Sequence, residues 1–423
     1  MSEEKKLVPK LRFPEFRDLG EWDLLPLSSF VESLDAGVSV NSGDRPAKKG
    51  EASVLKTSAV TCGTFHHQEN KVVLDEVEVR RLKEPVCKNT VIISRMNTPD
   101  LVGANAYVEE SAEDIFLPDR LWAAKPKSGI SMRFISYILG SDRGRAALSK
   151  IASGSSGSMK NITKPDVLSL QVTAPGFVEQ QKIAACLSSL DELIAAQARE
   201  VDALKTHKEG LMQQLFPREG ETQPCLRIPE FQDAAEWANQ MLDGFIEEYR
   251  EKSIIQDEYD VLTSARSGLV RQREYFDNER IAGRDNIGFN VIPPGYVTYR
   301  SRSDDRRFYF NENKLDISGI ISTYYPVFRL QGGVNRFFIE LLSHFTELVG
   351  KRSVGTSQTV LSLNELRKLK LPIPSKEEQQ RIADFLTSLD DLITAAIQGL
   401  ETLKAHKKGL MQQLFPPAAA LEA

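Results

Sequence analysis

Cysteine is scarce in this sequence. Its 423 residues include four cysteines, and no two of them form a CxxC pair: Cys62, Cys87, Cys186 and Cys225. This wide spacing argues against a disulfide framework and against a cysteine-based zinc site. We therefore expect reduced thiols, as in a cytoplasmic protein.

Long apolar runs are also missing. No window approaches the eighteen apolar residues of a membrane span, and the opening MSEEKKLVPK has no apolar core for a signal peptide. A composition of 41 % hydrophobic and 27 % charged residues is typical of globular domains, and the length predicts two or three of them. With 54 basic and 59 acidic residues the net charge is −5, so any nucleic-acid site must be a local basic patch.

Familiar catalytic motifs are absent. The sequence contains no GxxxxGK[ST], no GxGxxG after a strand and no GxSxG, and none of its five histidines has HExxH spacing. We therefore predict a chain that is not an enzyme and that holds no metal and no cofactor of its own.

What the sequence does contain is an internal duplication. Residues 174–217 align with 373–416 without a gap, with 25 identities in 44 positions, and LRFPEF at 11–16 matches LRIPEF at 226–231. Two stretches that resemble each other only faintly, about 30–173 and 245–372, lie between these repeated parts. The framework is thus duplicated while the two inserts have diverged.

The repeated tails have a heptad pattern over about five heptads. In the first copy the a positions are Leu187, Ile194, Val201, Lys208 and Leu215, and the d positions are Ile183, Leu190, Gln197, Leu204 and Leu211. The second copy has the equivalent residues 199 positions later. This pattern predicts two long helices that pair as a coiled coil, the alternative being that each packs on its own domain. Lys208 and Lys407 at a positions either extend to solvent or set the register.

Each insert has the order of a mixed α/β domain. Strand-like runs precede one helix, predicted from Met132 to Ile151 in the first insert and from Asn335 to Val349 in the second. A Ser/Gly/Thr-rich loop follows, at 153–163 and 353–362, and then a short strand, predicted at Val167 to Thr173 in the first insert. Such loops suit phosphate or base-edge contacts, and they equally resemble flexible linkers.

Basic residues are concentrated in both inserts. Residues 119–165 hold nine cations against two acids, and 261–310 hold nine arginines against six acids, with aromatic residues between them. Arginine suits bidentate contacts with phosphate and guanine. A solvated charged face is the alternative interpretation of each cluster.

These motifs together resemble the DNA-specificity subunit of type I restriction–modification enzymes, over essentially the whole chain. The resemblance is carried by PKLRFPEF…EW at 9–22 and its echo at 226–237, by the EQQRIA-like starts at 179–184 and 378–383, and by the KxGLMQQLFP endings. It implies two globular α/β target-recognition domains joined by two long antiparallel coiled-coil helices, in a pseudo-two-fold repeat. The implied organisation is recognition domain 1 at 1–173, a central helix at 174–217, recognition domain 2 at 218–372 and a C-terminal helix at 373–416. From their Ala-rich composition, residues 417–423 are predicted to be a disordered tail.

The family also implies a function. Each domain would read one half of a bipartite, asymmetric double-stranded DNA site, with half-sites about one helical turn or roughly 34 Å apart. Two methyltransferase subunits and motor–nuclease restriction subunits would be the partners, and S-adenosylmethionine, ATP and Mg²⁺ would belong to them. From the residues themselves we predict these DNA contacts: Arg95, Asn97, Ser158, Lys160, Asn161, Arg266, Arg271, Arg300, Arg302, Ser357 and Gln358. A coiled-coil interaction scaffold without DNA specificity is the alternative.

Overall fold

The computed structural model describes residues 7–61, 63–154, 158–265, 268–275 and 285–416. The chain divides into two compact units. Unit 1 comprises the residues up to Gln197 together with those from Gly399 onward, and unit 2 is Ala198–Gln398. Each of the two long helices therefore contributes one half to each unit.

The chain up to the end of the first long helix contains twelve strands and five α-helices among its described residues. They are β1 (Asp23–Pro26), β2 (Val31–Ala36), β3 (Ser53–Leu55), β4 (Asn70–Val72), α1 (Glu76–Arg81), β5 (Pro85–Val86), β6 (Thr90–Ser94), β7 (Met96–Asn97), β8 (Asn105–Val108), β9 (Ala112–Phe116), β10 (Leu121–Pro126), α2 (Met132–Gly140), α3 (Asp142–Lys150), β11 (Lys160–Asn161), α4 (Lys164–Ser169), β12 (Gln171–Ala174) and α5 (Phe177–Leu215).

The rest of the described chain repeats this inventory. It contains β13 (Ala238–Met241), β14 (Ile246–Tyr249), β15 (Leu262–Ala265), β16 (Gly268–Arg271), α6 (Gln272–Tyr275), β17 (Asn290–Ile292), β18 (Val297–Tyr299), β19 (Arg302–Ser303), β20 (Phe310–Glu312), β21 (Gly319–Ile321), β22 (Val327–Leu330), α7 (Asn335–His344), α8 (Thr346–Lys351), β23 (Thr359–Val360), α9 (Leu363–Arg367), β24 (Lys370–Ile373) and α10 (Lys376–Leu414).

The central sheet of unit 1 has the antiparallel strand order β2-β10-β6-β8, and a second sheet has the order β4-β3-β9-β5. Side chains of β6 alternate between two cores: Val91 and Ile93 pack with the helix residue Phe134, whereas Ile92 packs with Leu117. Because both faces of β6 are covered, its residues form a continuous apolar run without polar alternation.

Unit 2 has the same central sheet, in the order β14-β22-β18-β20. Helix α7 packs on β20 and β22, as α2 packs on β6 and β8 in unit 1. The core of unit 2 is rich in aromatic side chains, among them Tyr299, Phe328 and Phe337. The predicted mixed α/β fold class with two divergent copies of one domain is therefore confirmed.

The short repeated motifs anchor the long helices. In unit 1, Arg12 forms a bidentate ion pair with Glu179, with both N–O distances at 2.8 Å, and the pair is buried at 7 % and 2 % side-chain exposure. In unit 2 the repeat-related pair is Arg227 and Glu378, again with both distances at 2.8 Å. The LRxPEF and EQQ motifs are therefore two halves of one contact that fixes the start of each helix.

The glutamine after each of these glutamates joins the helix to the insert. The side-chain amide of Gln180 donates to Pro175 O at 2.8 Å, and its oxygen accepts from the backbone N of Ser131, the N-cap residue of α2. Gln379 makes the same two contacts in unit 2, with Pro374 O and with the backbone N of Val334.

The helix halves run antiparallel within unit 1. Gly399 lies beside Gln197, and further along α10 Lys407 lies beside Asp191, nearer the start of α5. Leu414 then joins the core that contains Leu187. All twenty predicted a and d positions are buried or half-buried, so the heptad assignment is confirmed.

Three local predictions are wrong in detail. The helix predicted from Met132 to Ile151 is two helices, because Ser141 adopts an extended conformation and its Oγ accepts from the Gly144 amide, which caps a new helix. The helix predicted at 335–349 is likewise divided into α7 and α8 at Phe345. The strand predicted from Val167 begins instead as α4, since Thr163 caps a helical turn there before β12.

Three further points about the described part of the chain concern membrane-spanning helices, metal-binding groups and cysteines. None of its helices is long and apolar enough to cross a membrane. No group of three or more His, Cys, Asp or Glu residues in it could hold a metal ion. Cys87, Cys186 and Cys225 are free thiols, and Cys62 lies outside the described residues.

Candidate nucleic-acid interface

Four of the predicted contact residues of unit 1 meet on one short ladder. Strand β7 pairs antiparallel with β11, so that Asn97 lies opposite Lys160 and Met96 opposite Asn161. Arg95 precedes β7, and its carbonyl accepts from the amide that follows β11 at 2.9 Å. Residues that are more than 60 positions apart in the chain thus share one surface.

An aromatic ring supports the cations of this ladder. The guanidinium carbon of Arg95 and the Nζ of Lys164 both lie 5.9 Å from the ring centroid of Trp122. The Nε of Arg95 and the Oδ1 of Asn161 are buried and have no hydrogen-bond partner among the described residues. The side chain of Arg95 is half-buried and its guanidinium group has no acidic partner among the ion pairs of the described chain.

Other cations of the 119–165 cluster already have acidic partners. Lys125 Nζ lies 2.8 Å from Glu84 and 2.9 Å from Asp35, and the hydrogen bond to Glu84 raises the pKa of the lysine further above its usual value. Arg133 pairs with Glu109. Neighbouring carboxylates therefore neutralise part of the positive charge of residues 119–165. Of the predicted contacts in that stretch, Lys160 and Asn161 lie on the ladder.

Unit 2 has a ladder at the equivalent place. Strand β19 pairs antiparallel with β23, with Arg302 opposite Val360 and Ser303 opposite Thr359. The carbonyl of Ser301 accepts from the amide that follows β23 at 2.9 Å, as Arg95 does in unit 1. The matching backbone bonds thus place Ser301 where unit 1 has Arg95.

The two ladders share a backbone and differ in chemistry. By the same correspondence, Arg302 stands where unit 1 has Met96, and Thr359 stands where unit 1 has Lys160. The guanidinium of Arg302 lies 4.0 Å from the ring centroid of Tyr324. Stacking on a ring holds a guanidinium flat and leaves its N–H edge free to donate.

The two polar loops that precede β11 and β23 are closed hairpins. Ser153 N donates to Asn161 O at 2.9 Å, and Val354 N donates to Val360 O at 3.0 Å. Gly355 has φ +125° and its position would place a Cβ 2.4 Å from Gln358 O, so the turn requires glycine.

The predicted contacts Ser158, Ser357 and Gln358 lie in these two hairpins and are exposed. In the second loop the closed backbone presents Ser357 and Gln358 at the surface. Residues 155–157 of the first loop lie outside the described residues.

The remaining predicted residues of unit 2 do not join the ladder. Arg271 lies on the β15–β16 hairpin, where its Nε is 3.0 Å from Asp260 and its Nη1 is 3.2 Å from Glu274. The hydrogen bond to Glu274 and the charge of Asp260 raise its pKa. Arg300 is exposed just before β19, and Arg266 lies outside the described residues.

The structure adds residues that the sequence pattern did not single out. Trp122, on β10, and Lys164, one of the nine cations of the 119–165 cluster, lie beside the first ladder. Tyr324 belongs to the second, where it also lines an open cleft of about 640 Å³ together with Ser301 and Lys252. No local signal marked either aromatic residue, because each supports a cation that is distant in the chain.

The chemistry of these surfaces is that of binding. Guanidinium, ammonium, amide and hydroxyl groups are hydrogen-bond donors suited to phosphate oxygens and base edges. Two units of one fold, with unlike polar ladders at equivalent places and a duplicated helical framework, define a recognition protein with two different readers.

The chain belongs to the family described as type I restriction modification DNA specificity domain, whose pattern matches residues 20–206 and 242–404. The duplicated match corresponds to the two copies of the repeat.

Two curated relatives come from Methanocaldococcus jannaschii. The putative type I restriction enzyme MjaX specificity subunit is 22 % identical over 337 residues, which cover 77 % of each chain. The MjaVIII specificity subunit is 24 % identical over 276 residues, which cover 58 % of this chain and 61 % of the relative.

Solved structures share the fold. The S subunit of a type I restriction–modification system from M. genitalium has a TM-score of 0.57 at 16 % identity, covering 97 % of this chain and 99 % of that one. A chain from a study of complex assembly and conformational transition of the type I R-M system has a TM-score of 0.53, also at 16 % identity, and covers 94 % of this chain and 98 % of its own.

Proposed function

We propose that this chain is the DNA-specificity subunit of a type I restriction–modification enzyme. It reads a bipartite, asymmetric site in double-stranded DNA and directs partner methyltransferase and restriction subunits to that site. The chain itself is not catalytic, and it acts in the cytoplasm. The observation that carries this proposal is the pair of ladders, which have the same backbone and different side chains.

Divergence at equivalent places is what reading two different half-sites requires. The β7–β11 ladder has Arg95, Asn97 and Lys160, where the β19–β23 ladder has Ser301, Ser303 and Thr359. Phosphate contacts position a protein on a duplex, and base-edge contacts specify the sequence. A framework that served only as a scaffold would need neither the unlike ladders nor the arginines that lie over aromatic rings.

The proposed DNA contacts of unit 1 are Arg95, Asn97, Ser158, Lys160 and Asn161, and those of unit 2 are Arg300, Arg302, Ser357 and Gln358. Arg271 and Arg266 stay predictions. Because Arg271 is already paired with two acids, Arg271→Ala is a suitable comparison for Arg302→Ala. If Arg302 contacts a base, its loss costs roughly 1–3 kcal/mol and relaxes one position of the motif. Relaxation by Arg271→Ala as well would support the prediction for Arg271, and an unchanged motif would remove that residue from the site.

The partners are proposed from the repeated helices. Several positions of 177–216 are exposed and yet identical in the second copy, among them Gln181, Ser189, Leu193, Ala196, His207 and Gln214. At 100° per residue these six side chains fall on one face of the helix, away from the seam. Leu193 and its counterpart Leu392 are 53 % and 55 % exposed.

Identity at exposed positions in both copies suits a partner that is present twice. We assign it to two methyltransferase subunits, which carry S-adenosylmethionine, while ATP and Mg²⁺ belong to the motor–nuclease subunits. Leu193→Arg together with Leu392→Arg should abolish co-purification with a co-expressed methyltransferase. Ile397→Arg, at an exposed position whose counterpart is Ala198, should leave it intact. Co-purification of the double variant at the wild-type yield would exclude this surface.

The proposed function is tested by expressing the chain with its methyltransferase and mapping methylated bases in the host genome. Methylation confined to one gapped, asymmetric motif is the expected result. Methylation without sequence preference, or a lack of salt-dependent DNA binding by the assembled complex, would instead support the interaction scaffold.

A further inference from the structure

One a position of the helix seam is a lysine in each unit. Lys407 Nζ lies 2.5 Å from Asp191 Oδ1 in unit 1, and Lys208 Nζ lies 2.7 Å from Asp390 Oδ1 in unit 2. The repeat relates these pairs, since 390 − 191 and 407 − 208 both equal 199. Each unit therefore holds the same ion pair between its two helix halves.

Each aspartate is also bound by the helix that supports the central sheet. The hydroxyl of Tyr137, on α2, donates to Asp191 Oδ2 at 2.7 Å, and Arg336, on α7, pairs with Asp390. Tyr137 is the sixth residue of α2, and the sixth residue of α7 is Glu340, whose Oε1 lies 3.7 Å from Lys208 Nζ. In each unit, therefore, one half of α5, one half of α10 and the helix packed on the central sheet all contact the same ion pair.

Stability does not account for these lysines. An apolar a residue stabilises a helix pair better than lysine does, and a half-buried ion pair rarely stabilises a fold more than apolar packing. The lysine side chains are only 21 % and 23 % exposed, so they are largely desolvated. An ion pair in an apolar seam selects one alignment of the two helices, because every other alignment leaves a charge unpaired.

That geometry extends to the reading surface. Helix α2 packs on β6, and β6 runs directly into Arg95 and the β7–β11 ladder. Helix α7 packs on the sheet whose strand β18 leads to Arg302. A shift of either helix relative to the seam therefore changes the angle at which its ladder is presented.

We propose that the two ion pairs are positioning devices for base reading. Asp191 and Lys407 orient the ladder of unit 1, and Asp390 and Lys208 orient the ladder of unit 2. This inference rests on the proposed function, and it assigns the charged seam positions to the specificity of the readers.

The test uses the full chain co-expressed with its methyltransferase. Lys407→Met and Lys208→Met remove one seam charge each. Lys404→Met is the matched control, since Lys404 is exposed and its ion pair with Glu401 lies at the surface. We expect Lys407→Met to lose about tenfold in discrimination against single-base changes in one half of the motif, and Lys208→Met to lose it in the other half. Asp191 and Asp390 are 41 % and 35 % exposed and keep Tyr137 or Arg336 as a partner, so we expect the urea midpoint of unfolding to change little. The control changes neither quantity.

Unchanged discrimination in both halves would overturn the inference, as would a loss that occurs equally in both halves and follows the loss of stability. If the wild-type complex has no sequence preference, the proposed function fails. Hydrogen exchange then tests separately whether the ion pairs position the helices α2 and α7. Lys407→Met must accelerate amide exchange in α2 relative to Lys404→Met, and unchanged exchange would rule that role out.

Discussion

Removing Arg12 should destabilise unit 1 more than removing Arg227 destabilises unit 2. Each arginine makes a bidentate pair with a glutamate that is 2 % exposed, and Arg12→Met leaves Glu179 as an uncompensated buried charge. Breaking a buried pair in this way costs about 3–5 kcal/mol. In unit 2, however, Trp237 Nε1 also donates to Glu378 Oε1, at 3.1 Å.

That additional hydrogen bond survives in Arg227→Met. It keeps one buried carboxylate oxygen of Glu378 paired after the arginine is removed, so we expect the loss in unit 2 near the lower end of this range of about 3–5 kcal/mol and the loss in unit 1 near the upper end. Trp22 has the equivalent place in unit 1, but its Nε1 is buried without a hydrogen-bond partner among the described residues. The two losses of unfolding free energy should therefore differ because of the Trp237–Glu378 hydrogen bond, which has no counterpart at Trp22 within the described chain.

The assay is fluorine NMR of protein labelled with 5-fluorotryptophan, followed through a urea titration. The chain has three tryptophans, of which Trp22 and Trp122 report on unit 1 and Trp237 reports on unit 2. Arg12→Met should shift the transitions of the first two and Arg227→Met that of the third. An equal or larger loss for Arg227→Met, or a loss below about 1 kcal/mol for both variants, would refute the reasoning.

Two further predictions concern the core of each unit. Gly37→Ala should prevent stable folding of unit 1, because its Cβ would lie 1.5 Å from Leu117 O. The control Gly20→Ala meets nothing within 4 Å and should leave stability unchanged. Thermal unfolding followed by circular dichroism compares the stability of the two variants. Burial lowers the pKa of His344, whose ring lies beside Pro217 O. As the pH falls, the histidine of the unfolded state is therefore protonated before that of the folded state. Unit 2 should thus lose stability as the pH falls through about 6.5. His344→Gln should flatten that dependence in urea titrations between pH 8 and pH 5.5, and an unchanged slope would contradict it.

The sequence predicted the framework well, for a physical reason. Heptad spacing determines which side of a helix is apolar, so even the polar a and d residues, such as Lys208 and Gln197, could be placed in the seam before the fold was known. The repeat then predicted equivalence between the two halves. What it did not predict was the role of the motif residues Arg12 and Glu179, because an ion pair across 167 residues leaves no local pattern.

The candidate interface was predictable only in part. Arg95 and Lys160 were chosen from separate polar runs, and their meeting on one ladder depends on strand pairing of only two residues, which has no periodicity to detect. Arg271 shows the opposite case: the pattern showed its charge but not the carboxylates of Asp260 and Glu274 that pair with it. Local sequence thus indicates which groups can bind, whereas tertiary pairing decides which of them are free.

The most direct measurement is the methylation motif of the assembled complex, compared between the wild type, Arg95→Ala and Arg302→Ala. The account predicts one gapped motif in which each variant relaxes a position in a different half and leaves the other half unchanged. Relaxation of the same half by both variants, or an unaltered motif in both, would contradict the claim that two unlike readers share one duplicated framework.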